Sequence, residues 1–261
     1  MHNLRKYGSV PFSLAVVHGG PGAGGEMAPV ARQLSSSRGV LEPIQTAISL
    51  KGQVEEFKIV LEENGDLPVT LVGFSWGAWL VFILAAQYSG LVRKLILVGS
   101  GPFEQKYTPG MRETKLKRLS SEERAEVESL TKTMESLDAA AKNAAMARIG
   151  SLFEKANAYD PMPDESTEID VRADIFQSVW KDGAKLRVSG KLLQLSEHIQ
   201  CPVAAIHGDC DPHPAIGVQE PLSAALDDLR FILLENCGHK PWIERKARDE
   251  FYRVLQEELQ C

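Results

Sequence analysis

Val69 to Ala86, VTLVGFSWGAWLVFILAA, constrains the fold more than any other stretch of the chain. It is an apolar run cut in the middle by Gly73-Phe74-Ser75-Trp76-Gly77. Val69, Leu71 and Val72 before the cut suit a buried parallel strand. Ala78 to Ala86 after it is long enough, on to Gln87 and Tyr88, for a buried helix. A serine on so sharp a strand-to-helix turn presents its Oγ outward, at a helix N-terminus that stabilises developing negative charge. The turn needs Gly73 and Gly77 because side chains there would collide with the neighbouring strand and helix. Five residues alone also fit an ordinary βα turn, so the rest of the chain has to decide.

The strand Ser13–Val17 runs into a second informative loop, His18-Gly19-Gly20-Pro21-Gly22-Ala23-Gly24-Gly25. Two mechanisms compete for it. Gly20, Gly22 and Gly25 satisfy G-x-G-x-x-G, and Glu42 follows at the distance where a dinucleotide fold places its ribose-binding acid. The other reading is a loop whose backbone N–H groups hold an oxyanion beside the serine turn. The second is preferred, because HGGPG and G-x-S-x-G one βα unit apart would meet at one edge of a parallel sheet.

A helix is expected over 27–36, a strand over 40–46 and a better helix over 53–64, with Val54, Phe57, Ile59, Val60 and Leu61 on one side. Val92–Val98 is another strand. Strand–helix alternation of this kind means a parallel sheet with right-handed crossovers. From 103 to 198 the period turns helical. Ser120 to Glu123 is a capping box, followed by Val127, Leu130, Met134 and Leu137 on one face. An alanine-rich helix is expected over 139–158, a third helix holds Val171, Ile175, Val179 and Trp180, and a short one spans 191–196. The sheet resumes at 202–207 and 229–234, and a last helix runs over 242–260 with Phe251, Leu255 and Leu259 facing in. The expected organisation is a core of residues 1–102 and 199–261 and a helical cap or lid of residues 103–198 over the carboxyl edge, where ligands bind.

A serine hydroxyl is a weak nucleophile until a base takes its proton, and that base needs a carboxylate to orient it. Ser75, Asp211 and His239 occur in that order, each in a loop after an expected strand. With HGGPG (18–22), GFSWG (73–77), HGDCDPHP (207–214) and CGHKPW (237–242), the sequence resembles the α/β-hydrolase superfamily over nearly its whole length. Its HGGPG loop and the tryptophan after the serine are similar to the prolyl aminopeptidase group. The resemblance implies an α/β-hydrolase fold, a mostly parallel sheet with helices on both faces; this chain departs from it in having too few residues before His18 for a full leading hairpin, so shortened N-terminal strands are expected. It also implies a triad of Ser75, Asp211 and His239, with the backbone N–H groups of Gly20 and Trp76 as oxyanion donors. The family pattern sets the acid three residues after the glycine that ends its strand, which fits Gly208 to Asp211. Asp209 is the close competitor and Glu104 a third. His18 is expected to brace the oxyanion loop, and Trp76 to pack or to wall an acyl pocket.

The function implied is a serine hydrolase cleaving a small ester or related acyl substrate through an acyl-enzyme. The alternatives are a prolyl-aminopeptidase-like amide hydrolase, whose lid glutamates would hold a substrate amine, and a hydrolase-fold protein that binds without turnover. Such a triad requires no metal and no organic cofactor. A net charge of −6, with Lys115, Lys117 and Arg118 the densest basic group, argues against nucleic acid as a partner. No segment reaches the roughly 18 apolar residues that span a bilayer. The short apolar run after Arg5 and Lys6 reads as mature protein, so a cytoplasmic location is expected, with Cys201, Cys210, Cys237 and Cys261 as free thiols. Cys210 and Cys237 each flank a proposed triad residue and are expected to lie near each other.

Overall fold

A computed structural model describes residues 3–163 and 169–260. The first half holds β1 (Leu4–Tyr7), β2 (Leu14–Val17), β3 (Ala23–Gly24), α1 (Ala28–Leu34), β4 (Val40–Pro43), α2 (Leu50–Asn64), β5 (Val69–Phe74), α3 (Trp76–Gln87) and β6 (Val92–Val98). A helical block follows: α4 (Met111–Lys117), α5 (Ser121–Thr133), α6 (Ala139–Asn157), the short β7 (Asp170–Val171), α7 (Ala173–Val188) and α8 (Lys191–Gln194). The chain closes with β8 (Val203–Gly208), α9 (Ile216–Ala225), β9 (Leu229–Leu234) and α10 (Arg248–Glu258).

Seven strands form one sheet in the order β1-β4-β2-β5-β6-β8-β9. Only β1 is antiparallel, against β4, and the other neighbours are parallel. Period two sends alternate residues to opposite faces, so a strand buried on both sides is apolar throughout. Leu14, Val16, Val72, Phe74, Ile96 and Val98 pack on one face with Met27, Val30 and Leu34 at α1 and Phe251 and Leu255 of α10. Ala15, Val17, Leu71, Leu95 and Leu97 pack on the other, under α2 and α3. Helix α3 lies between sheet and helical block, which is why Trp76 to Ala85 is buried on every side.

The helical block divides in two. α5 and α6 share a small cluster of their own, Leu119, Val127, Leu152 and Ala156. Ile175 and Val179 of α7 and Leu192 of α8 belong instead to the main core. Gly183 lets α7 press onto α3, since a Cβ there would stand 2.5 Å from the Trp76 ring.

Several elements differ from the sequence reading. α9 and α4 were not expected: α9 carries Pro221 inside it, and α4 begins at Gly110 with no side-chain cap. Val171 lies outside the third helix, because β7 pairs with β3 and Arg172 N–H donates to Gly22 O at 2.9 Å before α7 starts. Ile59 is exposed at 49% although α2 is otherwise amphipathic as expected. The last helix starts at Arg248, after a separate turn at Pro241–Ile243. Among the described residues no helix is long and apolar enough to cross a membrane.

Candidate active site

The serine turn is as tight as its glycines imply. A Cβ on Gly73 would lie 2.4 Å from Gly77 O, and one on Gly77 the same distance from Val17 O. Ser75 has φ 52° and ψ −110°, a left-handed backbone that a non-glycine residue adopts only when its surroundings enforce it. Its N–H is held by Val98 O at 2.9 Å. Trp76 opens α3, so its N–H has no intrahelical acceptor. Its indole is buried and donates to Gln53 Oε1 at 3.3 Å.

β8 lies beside β6 and β9 beside β8, and the loops after them deliver the acid and the histidine to the same edge. His239 Nδ1 lies 2.6 Å from Asp211 Oδ2, with both side chains almost wholly buried. Asp211 Oδ1 accepts the His213 backbone N–H at 2.8 Å and lies 2.9 Å from His213 Nδ1. Burial would raise the Asp211 carboxyl, but His239 and His213 beside it hold it well below the usual carboxylate range. Asp209 does something else. Its Oδ1 accepts the Cys237 N–H at 3.0 Å and so fastens the histidine loop to the acid loop. Cys210 N–H donates to Cys237 O at 2.9 Å, so the two cysteines are neighbours as expected. Cys201, Cys210 and Cys237 are free, and Cys261 lies outside the described residues. Glu104 pairs with Lys106 at the surface.

Ser75 makes no side-chain hydrogen bond among the described residues. The ring of its neighbour Phe74 lies against His239, centroids 4.8 Å apart. Gly99, at the end of β6 with φ 53°, makes the room: a Cβ there would stand 3.2 Å from His239 Nδ1.

Gly20 sits in a turn with φ 24°, closed by Ala23 N–H to Gly20 O at 3.0 Å. Beyond it β3 pairs with β7, which ties this loop to the helical block. His18 is fully buried, with Nδ1 2.9 Å from Gly19 O, and burial lowers its pKa. Glu42, the acid the dinucleotide reading would need, is buried in β4 and accepts from Tyr7 Oη at 2.6 Å.

Three further residues bind the loops together, and sequence reasoning missed them. Glu26 Oε2 accepts the Gly19 N–H at 3.0 Å, and its Oε1 lies 2.9 Å from Lys240 Nζ. Burial would raise Glu26, and Lys240 brings it down. Lys240 also reaches Glu154 of α6 at 2.5 Å. Glu244, fully buried, accepts the N–H groups of Gly238, Tyr159 and Asp160 at 2.8–2.9 Å. His239 N–H donates to Asn157 O at 2.9 Å. The end of α6 is thereby fixed to the histidine loop. Most of these contacts cross more than eighty residues, and isolated acids and lysines carry no local signature of them.

Asp211, His213 and His239 bring ligand-type atoms within 4.8 Å of one another. The atoms that converge are already matched as imidazole nitrogens against carboxylate oxygens at 2.6 and 2.9 Å, which is the arrangement of a hydrogen-bonded couple.

A family model described as alpha/beta hydrolase fold matches residues 21–246. No curated protein matches the sequence. Among solved structures, a putative lipase from Acinetobacter baumannii AYE is similar at 17% identity and TM-score 0.65, over 98% of this chain and 88% of that one. The thioesterase domain from the curacin biosynthetic pathway is similar at 18% identity and TM-score 0.63, over 99% and 94%. A 2-hydroxy-6-oxo-6-phenylhexa-2,4-dienoate hydrolase from Rhodococcus sp. strain RHA1 is similar at 20% and 0.64, over 97% and 92%. At these identities the likeness is one of fold.

Proposed function

The chain belongs to the alpha/beta hydrolase fold family, and from that premise we propose that it is a serine hydrolase that cleaves a small ester or related acyl substrate through an acyl-enzyme. The observation that carries this reading is the buried Asp211–His239 couple at 2.6 Å, set beside the strained Ser75 turn. In the proposed mechanism Ser75 Oγ attacks the acyl carbon while His239 Nε2 takes its proton. Asp211 holds the imidazole and stabilises the imidazolium. The N–H groups of Gly20 and Trp76 hold the oxyanion. Collapse expels the alcohol, which takes the proton from His239, and water then releases the acid by the same steps in reverse order of roles.

Residues 103–198 are proposed as the cap over this edge, and their contacts to the Gly20 loop and the histidine loop support that role. The amide-hydrolase alternative needs a cap carboxylate for a substrate amine. Glu154, one acid of the helical block near the site, is already paired with Lys240; Asp164 and Glu165 lie outside the described residues.

The test is pre-steady-state kinetics with p-nitrophenyl acetate and butyrate, alongside a proline arylamide. A burst equal to the enzyme concentration, followed by turnover and abolished in Ser75→Ala, is expected. Turnover of the arylamide alone would transfer the reading to the amide hydrolase, and activity retained in Ser75→Ala would remove Ser75 as nucleophile.

A further inference from the structure

The acid of the proposed triad serves two imidazoles. Asp211 Oδ2 faces His239 Nδ1, while Oδ1 faces both the backbone N–H and Nδ1 of His213. The two rings lie against each other, centroids 4.4 Å apart and planes 33° from parallel. On its far side His213 Nε2 meets Lys115 Nζ of α4 at 3.3 Å. Lys115 is half-buried, lies against the Phe153 ring at 5.7 Å, and has no carboxylate at ion-pair distance among the described residues. The Asp211 carboxylate, held low, only accepts, so His213 Nδ1 must donate to it and Nε2 is left to accept from Lys115, whose pKa burial lowers. The His213 proton therefore sits on Nδ1 and points at Asp211.

We propose that Lys115 and His213 are a positioning pair for the Asp211–His239 couple: Lys115 fixes the tautomer of His213, and the His213 Nδ1–H holds Oδ1 so that Oδ2 is left to His239. The charged and titratable groups that face His213 are Lys115 from α4, Asp211 and His207 from β8 and its loop, and His239 from the loop after β9. His207 Nε2 donates to His213 O at 2.8 Å and stands 3.4 Å from Asp211 Oδ2, so it steadies the same loop. Burial and the Lys115 charge push His213 down to about 3, which keeps it neutral wherever an esterase would work.

The pair also sets how strongly Asp211 pulls on a proton at His239. A nearby ammonium disfavours a second cation on His239. A hydrogen bond into Oδ1 draws carboxylate charge away from Oδ2. Because Lys115 rides on α4, this setting exists only while the helical block is docked. Arg118, at the end of the same helix, donates to Cys210 O at 2.9 Å and Ala156 O at 3.0 Å and holds α4 in place.

The role rests on the serine-hydrolase reading, but its test need not. Histidine side-chain NMR of the full chain, titrated from pH 5 to 9 without substrate, reads the tautomer and the midpoints directly. The acid limb of kcat/KM on p-nitrophenyl butyrate is measured in parallel. His213 is expected to remain the neutral Nδ1–H tautomer throughout. Lys115→Met and His213→Phe, which keeps a ring of similar size against His239, should lower kcat/KM on the butyrate and move its acid limb upward by about half a pH unit or more. Lys115→Arg, which keeps the charge and a donor, should restore both. Ordinary titration of His213, an Nε2–H tautomer, or a slower Lys115→Met with the acid limb unmoved would overturn the pair. A neutral Nδ1–H His213 that loses that tautomer in Lys115→Met, without any ester burst in the unaltered chain, would leave the pair standing and remove the hydrolase reading instead.

Discussion

Asp209 and Asp211 stand two residues apart on one loop and serve different masters. Asp211 meets an imidazole at 2.6 Å, whereas Asp209 meets a backbone N–H at 3.0 Å. The spacing from Gly208 favours Asp211 as the proposed triad acid, and its burial is what that role would need: a carboxylate that is to stabilise an imidazolium must be kept from water, which would otherwise screen it. Asp211→Asn would present an amide N–H to one of its two histidines and force the wrong tautomer. It should lower kcat by about 10³–10⁴-fold. Asp209→Asn keeps an oxygen for Cys237 N–H and should leave kcat within about threefold while lowering the melting temperature by a few degrees. Steady-state kinetics and a thermal melt of the two variants check both statements, and equal losses of kcat would contradict them. His213 stands in the HGDCDPHP motif two residues beyond Asp211, yet its partner Lys115 reads in the sequence only as part of the densest basic group. That contact spans 98 residues, and pattern along the chain cannot report it.

At the scale of elements, the most regular segments were the legible ones. β5 and α3, β6, β8 and β9, and the capped α5 follow from period and cap chemistry, and the capping box at Ser120 and Glu123 is formed in both directions. The two-residue β3 and β7, the capless α4 and the proline-bearing α9 were not, because pairing partners and tertiary packing hold them in place of local propensity. Glu244 is the clearest case of an element held from a distance. One carboxylate accepts N–H groups from the histidine loop and from the chain just after α6. In Glu244→Gln one oxygen becomes a donor and faces a donor. The expected loss is about 2–4 kcal/mol, because a charge-assisted bond goes and a buried N–H is left unpaired. Amide hydrogen exchange at Gly238, Tyr159 and Asp160 should accelerate before exchange in β5 does. Uniform acceleration across the sheet would mean that the carboxylate stabilises the fold as a whole and not this junction.

At the scale of the molecule, the buried histidines make the folded state sensitive to acid in a defined window. Burial is the first cause that lowers His18, His207 and His213, with Lys115 adding to it at His213. Above the unfolded value of about 6.5, both states leave these imidazoles neutral and nothing is lost. Below it the unfolded chain takes up protons that the folded chain refuses. Stability then falls by up to about 1.4 kcal/mol per pH unit for each such histidine, until the folded values are reached. Glu42 works the other way. Burial raises its carboxyl in the folded state, so acid favours folding at that one site and offsets part of the loss. Asp211, held low, adds its own penalty only as the pH falls through and below the ordinary carboxylate range. Denaturant melts between pH 7.5 and 5 should therefore give a net uptake of about two protons on unfolding near pH 5.5. His207→Gln, whose amide can still donate to His213 O, should reduce that uptake by about one. An unchanged slope would show that His207 is protonated in the folded state, and with a second positive charge 3.4 Å from Asp211 Oδ2 the couple at His239 would have to be drawn differently.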